Sequence, residues 1–342
     1  MRKLSFILAS IFCLAGCAKQ SSVHQGELAR NAFEAWAQVN KESGWQQTEL
    51  GSWVIEMDKG TGASVKTKDE IPYVRLHFTI SDLKGNISST SREEVAKQLG
   101  TYDKRTYFGP AMTYRGTESI YAGVEEVLDQ MNVGGHCKVA IPGWLLTGSR
   151  YKNKQGYIDA MTEAKDALVY DFTIVETVAD ENVWELDQIK AAMGGEAIFE
   201  KADSLAEGVY YIQDSPSDKP DTTFTTGNKV YFNYNCRRID GVGIDTNNAD
   251  LAKDFGCYKA GNKYEPVLIN WAEETATDIT MGSSSSKVVA GFALGIHHMR
   301  PHEKGRVYMT SGYAYETSGS GNYIPGYCPI YFELEFTDEP KK

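Results

Sequence analysis

After its first sixteen positions the chain has no apolar run approaching the roughly eighteen residues needed to span a bilayer as a helix. It also has no Cys-x-x-Cys, no His-Glu-x-x-His, no Gly-x-Ser-x-Gly and no phosphate-binding loop. These absences remove the simplest thiol redox, zinc protease, serine hydrolase and nucleotide-binding readings. The paired glycines Gly60-Thr61-Gly62 and Gly241-Val242-Gly243 lack the third glycine of a dinucleotide fingerprint and fall where strands turn. His297, His298 and His302 have no second set of ligands nearby, so the sequence implies neither a metal nor a cofactor. Positive charge is short: 35 Lys and Arg against 46 Asp and Glu give a net charge of −11, which argues against nucleic acid as a partner. Of 6 cysteines, Cys13 and Cys17 lie in or beside the N-terminal apolar run, leaving Cys137, Cys236, Cys257 and Cys328. A disulfide among the last three stays open.

What is present begins at the N-terminus. Arg2-Lys3 precede an apolar run from Leu4 to Gly16, the length of a signal-peptide core. It ends Leu14-Ala15-Gly16-Cys17, which resembles the lipobox of bacterial lipoproteins. That resemblance implies cleavage before Cys17, acylation of its side chain and a lipid-anchored protein of the bacterial cell envelope, on the periplasmic side of the outer membrane or at the surface. Several acyl chains at about 0.8 kcal/mol per buried methylene would make the attachment permanent. The remainder, about 325 residues, suits two domains.

An internal repeat organises everything after residue 50. Gly51-Ser52-Trp53-Val54-Ile55 aligns with Gly208-Val209-Tyr210-Tyr211-Ile212, and Val74 to Phe78 aligns with Val230 to Tyr234, both as alternating strands. Val124, Val127, Leu128 and Met131 mark one short amphipathic helix, and Phe292, Gly295, Ile296 and Met299 repeat its register. Two closing strands follow in each copy, Lys138 to Ile141 and Leu168 to Phe172, then Arg306 to Met309 and Ile330 to Leu334. The period is that of tandem domains. The expected division is a signal peptide at 1–16, a linker and helix at 17–50, a first domain at 51–178, a helical linker at 179–206 and a second domain at 207–338. Leu28, Ala32, Trp36 and Val39 mark the apolar stripe of the first helix, and Val183, Leu186, Ile189 and Met193 that of the linker helix, ended by Gly194-Gly195. Packing against a neighbouring domain is the simple role for both; a homodimer through one of them stays open. Ser283 to Ser286 and Thr317 to Asn322 read as mobile loops.

The second copy concentrates aromatics in separate segments: Tyr231-Phe232-Asn233-Tyr234, Gly291-Phe292, Gly312-Tyr313-Ala314-Tyr315, Ile324-Pro325 and Ile330-Tyr331-Phe332. Only a sheet folded over a short helix can bring them together, and an aromatic pocket with few polar groups suits a prolyl ring better than a charged substrate. The order and spacing resemble the FKBP family of peptidyl-prolyl cis-trans isomerases. The resemblance implies an α+β fold, two tandem FKBP-like domains, each a twisted antiparallel sheet wrapped on a short helix. It makes Tyr234 the wall tyrosine, Asp245 the aspartate after the Asp240-Gly241 turn, Phe292 the floor and Tyr315 the hydroxyl that bonds a bound carbonyl. Ile244, Val288, Val289, Ile324 and Phe332 would complete the substrate-binding wall. Two departures stand out: Thr246 to Lys287 is an insertion, so the family's remaining pocket aromatic has no assigned position, and Ser320 stands for a loop histidine.

The first copy keeps the scaffold and not the pocket residues, with Phe78 for the tyrosine, Ser88 for the aspartate, Val124 for the floor and Thr147 for the loop tyrosine. Two functions therefore compete. One is an envelope isomerase acting on proline-containing unfolded or exported polypeptides; the other is a chaperone or binding module that holds such chains without turnover.

Overall fold

A computed structural model describes residues 24–66, 70–116 and 119–340; the leader and Cys17 lie outside the described residues. Two antiparallel sheets, of seven and nine strands among the described residues, account for the two copies. After α1 (Gln25–Asn40) come β1 (Gln46–Gln47), β2 (Trp53–Asp58), β3 (Tyr73–Asp82), β4 (Ile87–Thr90), α2 (Glu93–Gln98) and β5 (Ala111–Tyr114). The first unit closes with α3 (Ala122–Leu128), β6 (His136–Ile141), α4 (Lys154–Asp159) and β7 (Leu168–Val178). Helices α5 (Glu181–Met193) and α6 (Glu196–Phe199) lead to β8 (Asp203–Ala206), β9 (Val209–Ser215), β10 (Lys229–Arg238) and β11 (Gly243–Thr246). Then follow α7 (Ala249–Phe255), β12 (Val267–Asn270), β13 (Thr280–Met281), β14 (Ser286–Lys287), α8 (Ala290–His298), β15 (Lys304–Met309) and β16 (Ile330–Thr337). Strand β8 falls in the stretch expected as linker, yet it pairs with β9. Likewise β1, ahead of residue 51, pairs with β2.

Every strand of the first sheet has a counterpart in the second, which adds β13 and β14 beyond β12. In the first sheet β3 pairs along its length with β7 and, on its other edge, with β5 and then β4. In the second, β10 pairs with β16 and, on its other edge, with β12 and then β11. Equivalent side chains even cap equivalent amides: Ser91 Oγ accepts from the Phe78 N–H at 2.8 Å, and Asn247 Oδ1 accepts from the Tyr234 N–H at 2.8 Å. The register corrects one expectation. Ile80 pairs with Ser89 and Cys236 pairs with Asp245, so Ser89, not Ser88, occupies the aspartate's position. A one-residue slip puts the side chain on the other face of a strand, and ungapped sequence matching could not settle it across a bulged hairpin.

Each sheet wraps its helix tightly. A Cβ on Gly291 would lie 2.5 Å from Met309 Sδ, and one on Gly295 would lie 2.8 Å from Val307 Cγ1. These two glycines thus let α8 sit directly on β15, burying Phe292, Ala293 and Ile296 in the second core beside Phe232, Phe332 and Phe336. Full burial of each large apolar side chain is worth about 1.5–3 kcal/mol. The first core gathers Val124, Val127, Leu128, Ile141, Leu145 and Phe172 around α3, with Trp144 and Phe33 of α1 beside them.

Both isolated helices are rotated from the expected stripes. On α1 the buried positions are Gly26, Phe33 and Ala37, while Val39 is 83% exposed; Phe33 packs edge-on against Trp144 at 5.7 Å. On α5, Ile189 and Met193 are buried as expected, but Val183 is exposed and Glu185 is buried in its stead. Both Glu185 carboxylate oxygens accept from Ser311, one from its N–H at 2.5 Å and one from its hydroxyl at 2.6 Å, which docks the linker helix on the second domain. Burial pushes the Glu185 carboxyl above the ordinary range. The expected mobile loops make contacts: Ser286 and Lys287 form a hairpin with β13, and the Asn322 carbonyl accepts from the Tyr107 N–H of the first domain at 3.0 Å. Cys137, Cys236, Cys257 and Cys328 are free thiols. No helix among the described residues is long and apolar enough to cross a membrane.

Candidate functional site

Between the open end of the second sheet and α8 lies a cavity of about 490 Å³. Tyr234 and Cys236 reach it from β10, Ile244 and Asp245 from β11, Val288 and Val289 from the approach to α8, and Phe292 from its first turn. Tyr315 and Ile324 enter from the long loop between β15 and β16, and Phe332 from β16 itself. All nine second-domain residues expected at a site thus line one cavity, together with Ser320. The assignment of Cys17 as a lipidated residue falls outside the described residues.

Packing fixes the aromatic faces. Phe292 is only 3% exposed, its ring 4.7 Å from that of Phe332 and 6.0 Å from that of Tyr234, which meets it nearly edge-on at 82°. Such edge-to-face and tilted contacts hold rings in place beyond the gain from burial alone. Alternation along β10 explains why Tyr234 and Cys236 share the cavity side, two residues apart.

The polar groups are few and differently employed. The Tyr234 hydroxyl donates to Asp245 Oδ2 at 2.8 Å. Burial first, and then the Asp245 carboxylate, push the Tyr234 phenol well above its ordinary value, so the proton stays on oxygen. Tyr315 is pushed up to about 12, chiefly by burial, with Cys236 and Asp245 adding to it. No described residue bonds its hydroxyl, which leaves a protonated donor facing the cavity. Burial likewise raises the Cys236 thiol, keeping it a neutral apolar wall and not a nucleophile. Helix α8 has no side-chain cap at Val289, so its first-turn amides are also available to a carbonyl acceptor. The site holds no nucleophile paired with a base and, among the described residues, no cluster of three metal-ligating side chains. His297 stacks on Trp271 at 5.1 Å, and His298 and His302 bond carboxylates instead. Such a cavity can enclose a compact apolar ring and bond a carbonyl beside it.

Sequence reading missed several lining residues. Cys236 was legible from the period of two after Tyr234. Met281, Cys257 and Lys259 come from the 246–287 insertion, whose register the sequence left undefined. Of the insertion's two buried aromatics, Phe255 packs over Gly243 and beneath the Arg237 guanidinium, and Trp271 stacks on His297. Arg105 also lines the cavity and comes from the other copy, for which no local signal exists.

In the first copy the equivalent place is a smaller apolar cavity of about 190 Å³, lined by Phe78, Ile80, Val124, Tyr170 and Phe172 among others. Val124 stands where the floor ring would be, and Thr147 does not reach the cavity lining.

Residues 221–337 match the family of FKBP-type peptidyl-prolyl cis-trans isomerases; the first copy lies outside that match. No curated protein sequence matches the chain. Among solved structures, the chain is similar to a peptidyl-prolyl cis-trans isomerase of Pseudomonas syringae, with 21% identity, a TM-score of 0.31, and 47% of this chain and 97% of that one covered. It is also similar to the three FKBP domains of wheat FKBP73, at 11% identity and TM-score 0.27, covering 85% of this chain and 95% of that one. FkpA from Escherichia coli aligns at 17% identity and TM-score 0.30, over 45% of this chain and 61% of that one.

Proposed function

We propose that this chain, which carries an FKBP-type domain over residues 221–337, is a lipid-anchored peptidyl-prolyl cis-trans isomerase that assists the folding of exported proteins. The observation that carries the reading is the convergence on one cavity of Tyr234, Asp245, Phe292, Tyr315 and Phe332, drawn from four strands or loops and a helix.

Rotation about an X-Pro bond needs no bond cleavage. Its barrier of about 18–20 kcal/mol is amide resonance, and uncatalysed exchange takes tens of seconds or more. At the top of the barrier the amide is twisted and its carbonyl less polarised. An apolar enclosure that holds the ring and excludes water therefore favours the twisted form over the planar, solvated one. A thousandfold acceleration requires about 4 kcal/mol. In this proposal Phe292, Phe332, Val288, Val289, Ile244 and Ile324 enclose the prolyl ring, Tyr315 donates to a substrate carbonyl, and Tyr234 holds Asp245 at the rim. The anchor would be Cys17, consistent with the leader sequence, and the clients would be unfolded or exported chains of the envelope.

The test is a protease-coupled isomerisation assay on the chain beginning after Cys17, using an Ala-Leu-Pro-Phe peptide. Catalysed exchange supports the isomerase. Binding of unfolded protein with no acceleration would instead favour a holding chaperone on the same scaffold.

A further inference from the structure

We infer that the cavity is a two-domain site, in which the first domain supplies Arg105 to a cationic rim that selects prolines flanked by an acidic side chain. The inference deepens the isomerase reading and rests on it.

Arg105 lies in the connector between α2 and β5, which crosses to the second domain and is tied there at several points. Arg238, buried in the second domain, donates from Nη1 to the carbonyls of Arg105 at 2.7 Å and Tyr323 at 2.9 Å. Lys104 Nζ donates to the Asp254 carbonyl. The Arg105 guanidinium stacks on the Tyr323 ring at 4.1 Å and donates from Nη2 to the Tyr323 hydroxyl at 2.8 Å and to Asp103 at 3.1 Å. It is thereby fixed in the lining of the cavity. No described residue accepts from Nη1, so one arm of the fork is left for an incoming acceptor, whereas Nε is buried without a partner. Unused guanidinium donors in a pocket lining match a carboxylate in both charge and geometry.

The rest of the rim has the same sign. Lys259 and Lys287 line the cavity, both exposed and neither ion-paired among the described residues. Against these three cations the lining holds one carboxylate, Asp245, whose Oδ2 already accepts from Tyr234. Asp103, 3.1 Å from the guanidinium, offsets part of the Arg105 charge. The chain as a whole carries −11, so the mouth of this cavity opposes the sign of the protein. An acidic flank is repelled by most of the surface and drawn to this rim, while the prolyl ring goes to Phe292.

The experiment uses the full chain from residue 18 and protease-free magnetisation-exchange NMR on acetylated, amidated Ala-Xaa-Pro-Phe and Ala-Pro-Xaa-Phe peptides, with Xaa as Glu, Gln or Lys. In one series or both, kcat/KM for Glu should exceed that for Lys by about three- to tenfold at low salt, the scale of a few exposed ion pairs. The ratio should approach one at 1 M NaCl, where the screening length is about 3 Å. Arg105→Gln should lower the ratio, and the exposed double change Lys259→Glu with Lys287→Glu should reverse it. Equal turnover of the Glu and Lys peptides in both series, insensitive to salt and to these variants, overturns the inference and leaves the isomerase reading intact. Should no peptide be turned over, the isomerase reading fails, and calorimetric binding of the same peptides decides the rim: tighter Glu peptides support it and equal affinities refute it.

Discussion

Replacing Tyr315 by Phe separates chemistry from stability more cleanly than any other change in the cavity. The substitution keeps the ring and deletes one hydroxyl that lines the cavity and has no hydrogen-bond partner among the described residues. Since no protein bond is lost, the unfolding free energy should stay within about 0.5 kcal/mol of the parent. A neutral hydrogen bond to a substrate carbonyl is worth about 0.5–1.5 kcal/mol, so kcat/KM should fall by about two- to tenfold. With its pKa pushed up to about 12, the hydroxyl stays protonated across the working range, and its loss should depress the rate equally at pH 6 and pH 8. The assay is exchange on the Ala-Leu-Pro-Phe peptide at both pH values beside a urea titration. An unchanged rate refutes the hydroxyl's role, and an equal fall in rate and stability would show that the group is structural.

Phe292→Ala removes a ring that is both cavity floor and core, so stability should drop by roughly 3–5 kcal/mol, less where the cavity opens to water, with turnover falling alongside; denaturant midpoints and rates measured together check this. His302 bonds Asp338 and Asp218, which raise its imidazole pKa above the ordinary value. Its contribution is therefore full below the unfolded-state pKa of about 6.5 and is lost as pH rises through the higher folded value. The parent's melting temperature should accordingly fall relative to His302→Asn between about pH 6 and pH 8, asparagine being chosen because the site has φ +63°; parallel melting curves would contradict it. Cys17→Ala should release the protein from membranes, because acyl burial and not the acidic body would supply the attachment; sedimentation with membranes after a salt wash contradicts the anchor.

The repeat was legible because alternation and helical spacing survive in both copies, from Trp53 and Tyr210 at the start to Phe172 and Leu334 at the end. The cavity was legible for a different reason: its aromatics sit in segments whose order and spacing resemble a known family, and only that order made single tyrosines and phenylalanines informative. Three things escaped. The faces of α1 and α5 did, because Phe33 and Glu185 are selected by tertiary partners, Trp144 and Ser311, that helical periodicity cannot see. The aspartate's counterpart did, because a bulged hairpin shifts register by one, from Ser88 to Ser89. Arg105 did, because its relation to the cavity depends on how one copy meets the other.

The central claim is that isomerisation takes place in the cavity of the second domain. Magnetisation exchange between the cis and trans signals of a proline peptide, recorded with substoichiometric full chain, tests it directly when wild type, Phe292→Ala and Val124→Ala are compared, each checked for folding by circular dichroism. The account predicts accelerated exchange for wild type and for Val124→Ala, and strongly reduced exchange for folded Phe292→Ala. Exchange that survives in Phe292→Ala and vanishes in Val124→Ala would place the activity in the first domain and contradict it.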